Sequence, residues 1–171
     1  MKKYFFILVL LLFSVTFSSC GYNLRGTQEL RAGLNTVAIL PVINQTFESR
    51  IENDLYNALV EEFAQSKNLT VVGLANADLI ISATVVAVDN YSISYSPDDK
   101  TYEYRVVMTV NAEAKTSADG KILWRRAALQ EVEEYKASLE PLTIDRNKQA
   151  ALRRVSKVLA EDIHDGLFTR F

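Results

Sequence analysis

Hydrophobic residues recur at helical spacing in some segments of the chain and at strand spacing in others, and these patterns predict its helices and strands. Residues 36–41 form a short apolar run that is partly β-branched and ends at a proline, which is typical of a strand buried on both faces. Residues 47–65, beginning at Phe47, repeat apolar side chains at helical spacing, with Thr46 as the expected N-cap. A second apolar run follows at residues 69–72. A strand, a helix and a strand this close in sequence predict a βαβ unit with parallel strands and a right-handed crossover.

The second half of the chain changes to strand periodicity. Residues 77–88 are apolar on both faces and predict a central strand whose inward side continues as far as Ala87. Residues 104–114 alternate between apolar and polar side chains, which predicts a half-buried antiparallel strand, and residues 122–135 form the next strand. Between them, Asp119-Gly120 predicts a hairpin with a type I′ turn, in which both central residues have positive φ.

A final amphipathic helix over residues 146–168 completes the order β-α-β-β-β-β-α. This order predicts one α+β domain, a two-layer sandwich in which two helices pack on one face of a mixed four- to five-stranded sheet. The other face of the sheet is expected to be wet or covered by a partner, because it carries Arg105, Thr109, Asn111 and Glu113.

The start of the chain has the features of a secretory signal. A basic beginning is followed by a 14-residue apolar run that starts at Tyr4, and Ser18-Ser19-Cys20-Gly21 then supplies small residues. The apolar run is shorter than the roughly 20 residues of a spanning helix. Phe17-Ser18-Ser19-Cys20 resembles a bacterial lipobox, in which the cysteine is acylated and becomes the new N-terminus. An uncleaved anchor or plain secretion are the other interpretations.

The expected organisation is a lipoprotein signal peptide at residues 1–19, an acylated Cys20 with its tether at 20–35, and a single domain at 36–171. Without the two lysines of the signal, 17 basic and 21 acidic residues give a net charge of −4, which argues against nucleic-acid binding. Gly21 after the cysteine favours the outer membrane, since an aspartate there retains lipoproteins in the inner membrane of enteric bacteria.

Candidate chemistry is sparse. Cys20 is the only cysteine, and His164, the only histidine, is expected to be an ordinary surface residue. Adjacent carboxylates occur only where turns, strands or helix surfaces explain them. The sequence therefore predicts no enzyme, no cofactor and no metal site.

Two features are candidates for contacts. Residues 91–102 are rich in tyrosine and serine around Lys100, which suits either an adaptable contact surface or a long hairpin with packed tyrosines. Basic residues occupy the first half of the last helix and acidic residues its second half, an order that opposes the helix dipole. That helix presents either a basic patch or a solvated face with local ion pairs.

Several segments together resemble the LPS-assembly lipoproteins of the LptE family. They are CGYxLRG from Cys20 to Gly26, VAIxPxxNxT from Val37 to Thr46, ADLxL from Ala77, EYRxxxxV from Glu103 to Val110, and KxLW from Lys121 to Trp124. The resemblance implies a non-enzymatic, lipid-anchored protein on the periplasmic side of the outer membrane. It also implies that the partner is the β-barrel LptD, which the protein plugs and helps to assemble, and that lipopolysaccharide is delivered through the complex.

Lipopolysaccharide is polyanionic, so its contacts are expected to be cationic. Charge and position suggest Lys100, Arg105 and Lys121 for this role. A second interpretation is a periplasmic lipoprotein that activates a cell-wall synthase or builds a secretion pore. A third, a periplasmic enzyme, would need a site built from aspartate, glutamate, tyrosine and lysine alone.

Overall fold

The computed structural model describes residues 33–95 and 101–168 as a six-stranded sheet with two helices. The elements are β1 (Thr36–Ile39), β2 (Ile43–Asn44), α1 (Ile51–Ala64), β3 (Thr70–Val71), β4 (Leu79–Tyr95), β5 (Thr101–Thr116), β6 (Ile122–Lys136) and α2 (Pro141–Phe168). The strand order is β3-β1-β4-β5-β6, and β2 pairs with β4 beyond the end of β1. The predicted element order is confirmed, with two additions in the described residues, β2 and a short 3-10 helix at Leu74–Asn76.

The predicted βαβ unit is present, because β1 pairs in parallel with β3 on one side and with β4 on the other. Asp78 fixes the start of this unit. One of its carboxylate oxygens accepts hydrogen bonds from the backbone N–H groups of Asn35 and Thr36, both at 3.0 Å, and from the Thr36 hydroxyl at 2.7 Å. These bonds favour the ionised form and lower the pKa of the Asp78 carboxyl.

Both helices pack on the same face of the sheet, as the α+β prediction requires. Helix α1 buries its stripe against the parallel strands, and α2 lies over β5 and β6 while contacting α1. The largest fully buried side chains come from both layers and include Phe63, Leu55, Leu79, Met108, Leu159 and Ile163. We call the sheet surface turned away from the helices the outer face.

Helix α1 begins later than predicted, at Ile51, and Phe47 is fully exposed. Thr46 is not the N-cap, because Asn44 holds it in a separate turn. The Thr46 N–H and hydroxyl both donate to Asn44 Oδ1, and the Thr46 hydroxyl accepts from Glu48 N–H. Arg50, at a φ of 68°, then leads into the helix without a side-chain cap.

The antiparallel strands carry several register shifts, and two of these bulges lie at neighbouring positions. In β4, Val85 pairs with Val110 but Ala87 pairs with Thr109, so Val86 is an extra residue. The inward alternation predicted through Ala87 therefore ends at Val85. In β6, the register shifts between Arg126 and Leu129, which adds one residue to that strand. Bulges of this kind bend a strand and redirect its side chains.

The β5–β6 hairpin is present, but its turn is not type I′. Gly120 has a φ of 67°, whereas Asp119 is not among the described residues with positive φ. The reversal takes four residues, since Thr116 N–H donates to the carbonyl of Lys121. The Asp119 carboxylate accepts from the Thr116 hydroxyl and from Lys121 N–H, so its pKa is lowered.

The last helix begins at Pro141, five residues before the predicted start. Proline suits the first turn of a helix because its missing N–H would have no partner there. Strands β4 and β5 form a long hairpin, one of the two interpretations of residues 91–102, but Tyr91 in β4 is exposed rather than packed. The tip of this hairpin, including Lys100, lies outside the described residues.

Candidate functional site

Neither of the described helices covers the outer face, which carries polar side chains from β4, β5 and β6. As predicted, Arg105 and Asn111 are exposed and Glu113 is half-buried. Thr109 differs, because it is only 7% exposed and its hydroxyl accepts a 3.0 Å hydrogen bond from Gln130 Nε2. Within the described residues, this face therefore presents a partly exposed polar surface to which a partner could bind.

The predicted lipopolysaccharide contacts do not form one site. Arg105 lies near the start of β5, whereas Lys121 follows the turn at the other end of that strand. At about 3.3 Å per residue, the strand separates these two cations by roughly 35 Å. Arg105 already forms an ion pair with Glu134, because its Nη2 lies 2.6 Å from Glu134 Oε1. Lys100 lies outside the described residues.

A groove of about 350 Å³ crosses the outer face at right angles to the strands. Short side chains line its middle, namely Ser82 and Thr84 of β4 and Asn111 of β5. Its two ends differ in chemistry. Leu40, Pro41 and Ile43 line it where β1 leads into β2, and Glu113, Arg125, Arg126 and Ala127 line it toward β6.

The bulge in β6 shapes the basic end of this groove. Ala128 has a φ of 52°, which is unusual for a residue with a Cβ atom, and its N–H donates a 2.9 Å hydrogen bond to Asn111 Oδ1. Strained backbone of this kind persists where the surrounding structure enforces it, and it is frequent at functional sites. Periodicity could not indicate this groove, because its lining comes from distant segments.

The two arginines of the groove differ in their pairing. Arg125 donates from both Nε and Nη2 to Glu113 Oε2, at 3.0 and 2.7 Å. Arg126 is exposed, and no carboxylate of residues 33–95 or 101–168 forms an ion pair with it. Arg126 pairs with Ala112, which is buried beneath the helices, so its side chain leaves β6 on the helix side and not on the outer face.

The basic half of α2 is largely committed to other elements. Lys148 pairs with Glu48, Arg154 pairs with Glu133 of β6, and Lys157 Nζ lies 3.7 Å from Glu61 Oε2 of α1. These pairs connect α2 to the rest of the domain. They argue against a free basic patch, but they run between elements and are not the local pairs within the helix that the solvated-face interpretation expects.

His164 is buried rather than on the surface, so that prediction is wrong. Its ring packs edge-on to Phe63 at 5.1 Å between centroids and tilted against Phe168 at 4.7 Å. Its Nδ1 lies 3.4 Å from Asp165 Oδ1, while its buried Nε2 has no hydrogen-bond partner among the described residues. His164 follows the buried Ala160 by four residues, a spacing that places both on the same side of a helix, so the sequence could have predicted its burial.

Within the described residues, His, Cys, Asp and Glu side chains form no group that could hold a metal ion.

A pair of carboxyl groups joins β6 to α2. Burial, together with the neighbouring charge of Asp162 and a hydrogen bond with it, raises the pKa of the Glu131 carboxyl. The Glu131 carboxyl therefore holds its proton to a higher pH in the folded protein than in the unfolded chain.

In the part of the chain that the structure describes, neither helix combines the length and the apolar character needed to cross a bilayer.

Comparisons with known proteins agree with this architecture. An uncharacterized lipoprotein B from Nitrosomonas europaea is 18% identical, with a TM-score of 0.52 over 86% of this chain and 90% of that one. The rare lipoprotein B from Shewanella oneidensis is 12% identical, with a TM-score of 0.52 over 76% and 91%. A Caulobacter crescentus CB15 protein is 15% identical, with a TM-score of 0.55 over 77% and 88%. At these identities the matches establish the fold alone.

No curated protein sequence matches the chain. The sequence model of the family LptE, described as lipopolysaccharide-assembly, matches residues 34–167. This range covers most of the chain and includes all of the described strands and helices except the last residue of α2. The resemblance found in the sequence motifs is thus confirmed, and the chain belongs to the LptE family of lipopolysaccharide-assembly proteins.

Proposed function

We propose that this protein is a non-catalytic lipoprotein that works in lipopolysaccharide assembly at the outer membrane. The observation that carries the proposal is the family match over residues 34–167. Acylation of Cys20 would attach the domain to the periplasmic side of the membrane, because more than one acyl chain gives stable anchoring. The lipobox-like Phe17-Ser18-Ser19-Cys20 supports this anchor.

The partner in this proposal is the β-barrel LptD, which the domain plugs and helps to assemble. The long antiparallel strands support this role. Strand β4 has 17 residues, which span at most about 55 Å when extended, against roughly 30 Å for the hydrocarbon core of a bilayer. The polar outer face also suits the polar interior of a large barrel.

Direct contact with lipopolysaccharide remains part of the proposal at Lys100, Arg105 and Lys121. The two described cations lie at opposite ends of β5, so they would contact different molecules or different parts of one extended molecule. The ion pair of Arg105 with Glu134 would have to open for a phosphate to bind.

The test is purification of the tagged full-length protein from outer membranes in mild detergent. We expect one large barrel protein, identified by mass spectrometry as LptD, in a stable complex. Cys20→Ala, the matched variant, should lose palmitate labelling and membrane attachment while keeping the folded domain. A ring of identical subunits, or a cell-wall synthase as the co-purified protein, would contradict the proposal, as would equal palmitate labelling of both forms.

A further inference from the structure

We infer that two copies of this chain pair through the outer edge of β6, as antiparallel neighbours in one continuous sheet. The inference goes beyond the proposed function and does not depend on it.

Strand β6 is the last strand of the sheet, and among the described residues only β5 pairs with it. Its 15 residues make it long, since most strands have about five or six. An edge strand presents unpaired backbone N–H and C=O groups, which are a template for another strand. Charged side chains and bulges often protect such an edge, and β6 has both. The arrangement of the charges decides between protection and pairing.

The charges of β6 are separated along the strand. Arg125 and Arg126 lie in its first half, and Glu131, Glu133 and Glu134 lie in its second half. A two-fold axis reverses the strand direction, so the basic half of one copy would face the acidic half of the other. A parallel, in-register neighbour would instead place like charges side by side. Strand β6 is therefore complementary to a second copy of itself in the antiparallel orientation.

The bulge in β6 selects the register of this pairing. On the β5 side, the single residue Asn111 lies opposite both Ala127 and Ala128. With Gln130 on the two-fold axis, Val132 of the second copy takes the equivalent place on the other side of the same two alanines. The bulge thus presents the same two-against-one geometry to both of its neighbours.

This register pairs Arg126 with Glu133 of the second copy. Both side chains leave β6 on the helix side, because they lie opposite the inward Ala112 and Val106 of β5. Directly opposite residues on one face of an antiparallel pair are in contact distance. The match of faces depends on the extra residue of the bulge, since uninterrupted alternation would place one of the two side chains on the outer face.

Arg126 would gain the carboxylate that it lacks. It is exposed and forms no ion pair within residues 33–95 and 101–168. Glu133 Oε1 accepts a hydrogen bond from Arg154 Nε at 2.5 Å. A carboxylate has about four lone-pair sites on its two oxygens, so Glu133 can also accept from a second guanidinium.

On the outer face the same register places Arg125 opposite Glu134 of the second copy. Within one chain, Arg125 Nη2 lies 2.7 Å from Glu113 Oε2, and Arg105 Nη2 lies 2.6 Å from Glu134 Oε1. Pairing would join these two ion pairs into one row of alternating charge across the interface. Exposed ion pairs contribute little affinity, so we expect the backbone hydrogen bonds to supply most of the affinity and the charges to select orientation and register.

The test is disulfide cross-linking of Gln130→Cys in the full-length protein, purified in dodecyl maltoside and separated from any bound barrel by gel filtration. Because the two-fold axis passes through this position, the two thiols would be in contact. We expect mild oxidation with copper phenanthroline to convert most of the protein into a disulfide-linked dimer on a non-reducing gel. Wild type, treated in the same way, should stay monomeric, which excludes a contribution from Cys20.

Lys136→Cys is the matched control. It is exposed on the same strand and the same face, but six residues from the axis, so its two copies would lie roughly 40 Å apart. It should therefore form little dimer. Absence of the Gln130→Cys dimer, or equal cross-linking of both variants, would overturn the inference.

Charge reversal tests the register without a new cysteine. Arg126→Glu should raise the dimer dissociation constant at least tenfold in sedimentation equilibrium, because the symmetric interface contains this pair twice. Adding Glu133→Arg to the same chain should restore the dissociation constant to within about threefold of wild type. Melting temperatures measured by circular dichroism check that each variant is folded. A monomeric wild type, an unchanged Arg126→Glu dimer, or a double variant without recovery would each contradict the pairing.

Discussion

Ala128 shows how a single residue can carry a constraint that its identity does not reveal. Its positive φ belongs to the β6 bulge and orients its N–H toward Asn111. Glycine would be the expected residue at such a position, as it is at Gly120, where the sequence did indicate positive φ. An alanine within an apolar run has no such signal, so the bulge could not be predicted.

Replacing Ala128 with valine should destabilise the domain. A β-branched side chain is poorly tolerated at positive φ, so we expect the free energy of unfolding to fall by about 1–2 kcal/mol. Urea denaturation measures this change. Ala127→Val, at the neighbouring exposed position without positive φ, is the control and should have a clearly smaller effect. Equal losses would argue against the strained backbone.

The helix α2 shows what periodicity detects within an element and what it misses. Its buried stripe, including Leu152, Leu159 and Leu167, was predicted from spacing and is confirmed. Its first turn was missed because Leu142 is 79% exposed and belongs to no stripe. The same reason explains Phe47, an apolar residue that spacing assigned to α1 although the Asn44 turn keeps it outside the helix.

Gly166 should be required for the packing of α2 on β6. A Cβ atom added there would lie 2.8 Å from Trp124 Cζ2, closer than such atoms approach in proteins. Gly166→Ala would gain up to about 1 kcal/mol of helix propensity but incur overpacking of roughly 1–3 kcal/mol. We therefore expect a net loss of stability in thermal and urea unfolding.

Gly73→Ala is the control for this substitution. An added Cβ at Gly73 meets nothing within 4 Å, and its φ is −69°. Its stability should be unchanged or slightly increased. A stabilised Gly166→Ala variant would show that α2 sits farther from Trp124 than described.

At the scale of the whole molecule, stability should depend on pH through Glu131. Its pKa is raised in the folded state, so the folded protein keeps this proton at pH values where the unfolded chain has lost it. The stabilising contribution is complete below the ordinary value of about 4.5 and is lost as pH rises through the raised pKa. Asp78 acts oppositely, because its pKa is lowered in the folded state. Its stabilising contribution is complete above the ordinary value of about 3.8 and is lost in stronger acid.

Glu131→Gln should remove the contribution of Glu131. The variant should melt at a higher temperature than wild type at pH 7, and the two melting temperatures should converge near pH 4. Glu134→Gln on the same strand is the control, because its exposed carboxylate pairs with Arg105 and its loss should not stabilise the protein at pH 7. A constant difference between Glu131→Gln and wild type at all pH values would refute this linkage.

The sequence predicted the two layers of the domain and the order of its elements along the chain better than its candidate site. Alternation along β5 and the stripes of both helices reflect burial, which each segment records locally. The groove depends instead on which strands become neighbours, since Ile43 and Arg125 are far apart in the chain and lie at opposite ends of the groove. Arg105 and Lys121 were chosen by their charge and their positions in the sequence, and β5 keeps them far apart.

The position of β1 has a mechanical consequence. The strand lies between two parallel neighbours, and Asp78 accepts hydrogen bonds from the N–H groups of Thr36, its first residue, and of Asn35, which precedes it. A pulling force applied along the chain from before Gly33 would act at the same time on the backbone hydrogen bonds that join β1 to β3 and to β4. Hydrogen bonds that share a force resist breaking better than hydrogen bonds that open one after another. The first strand of the domain to receive such a force, β1, is therefore well suited to withstand it.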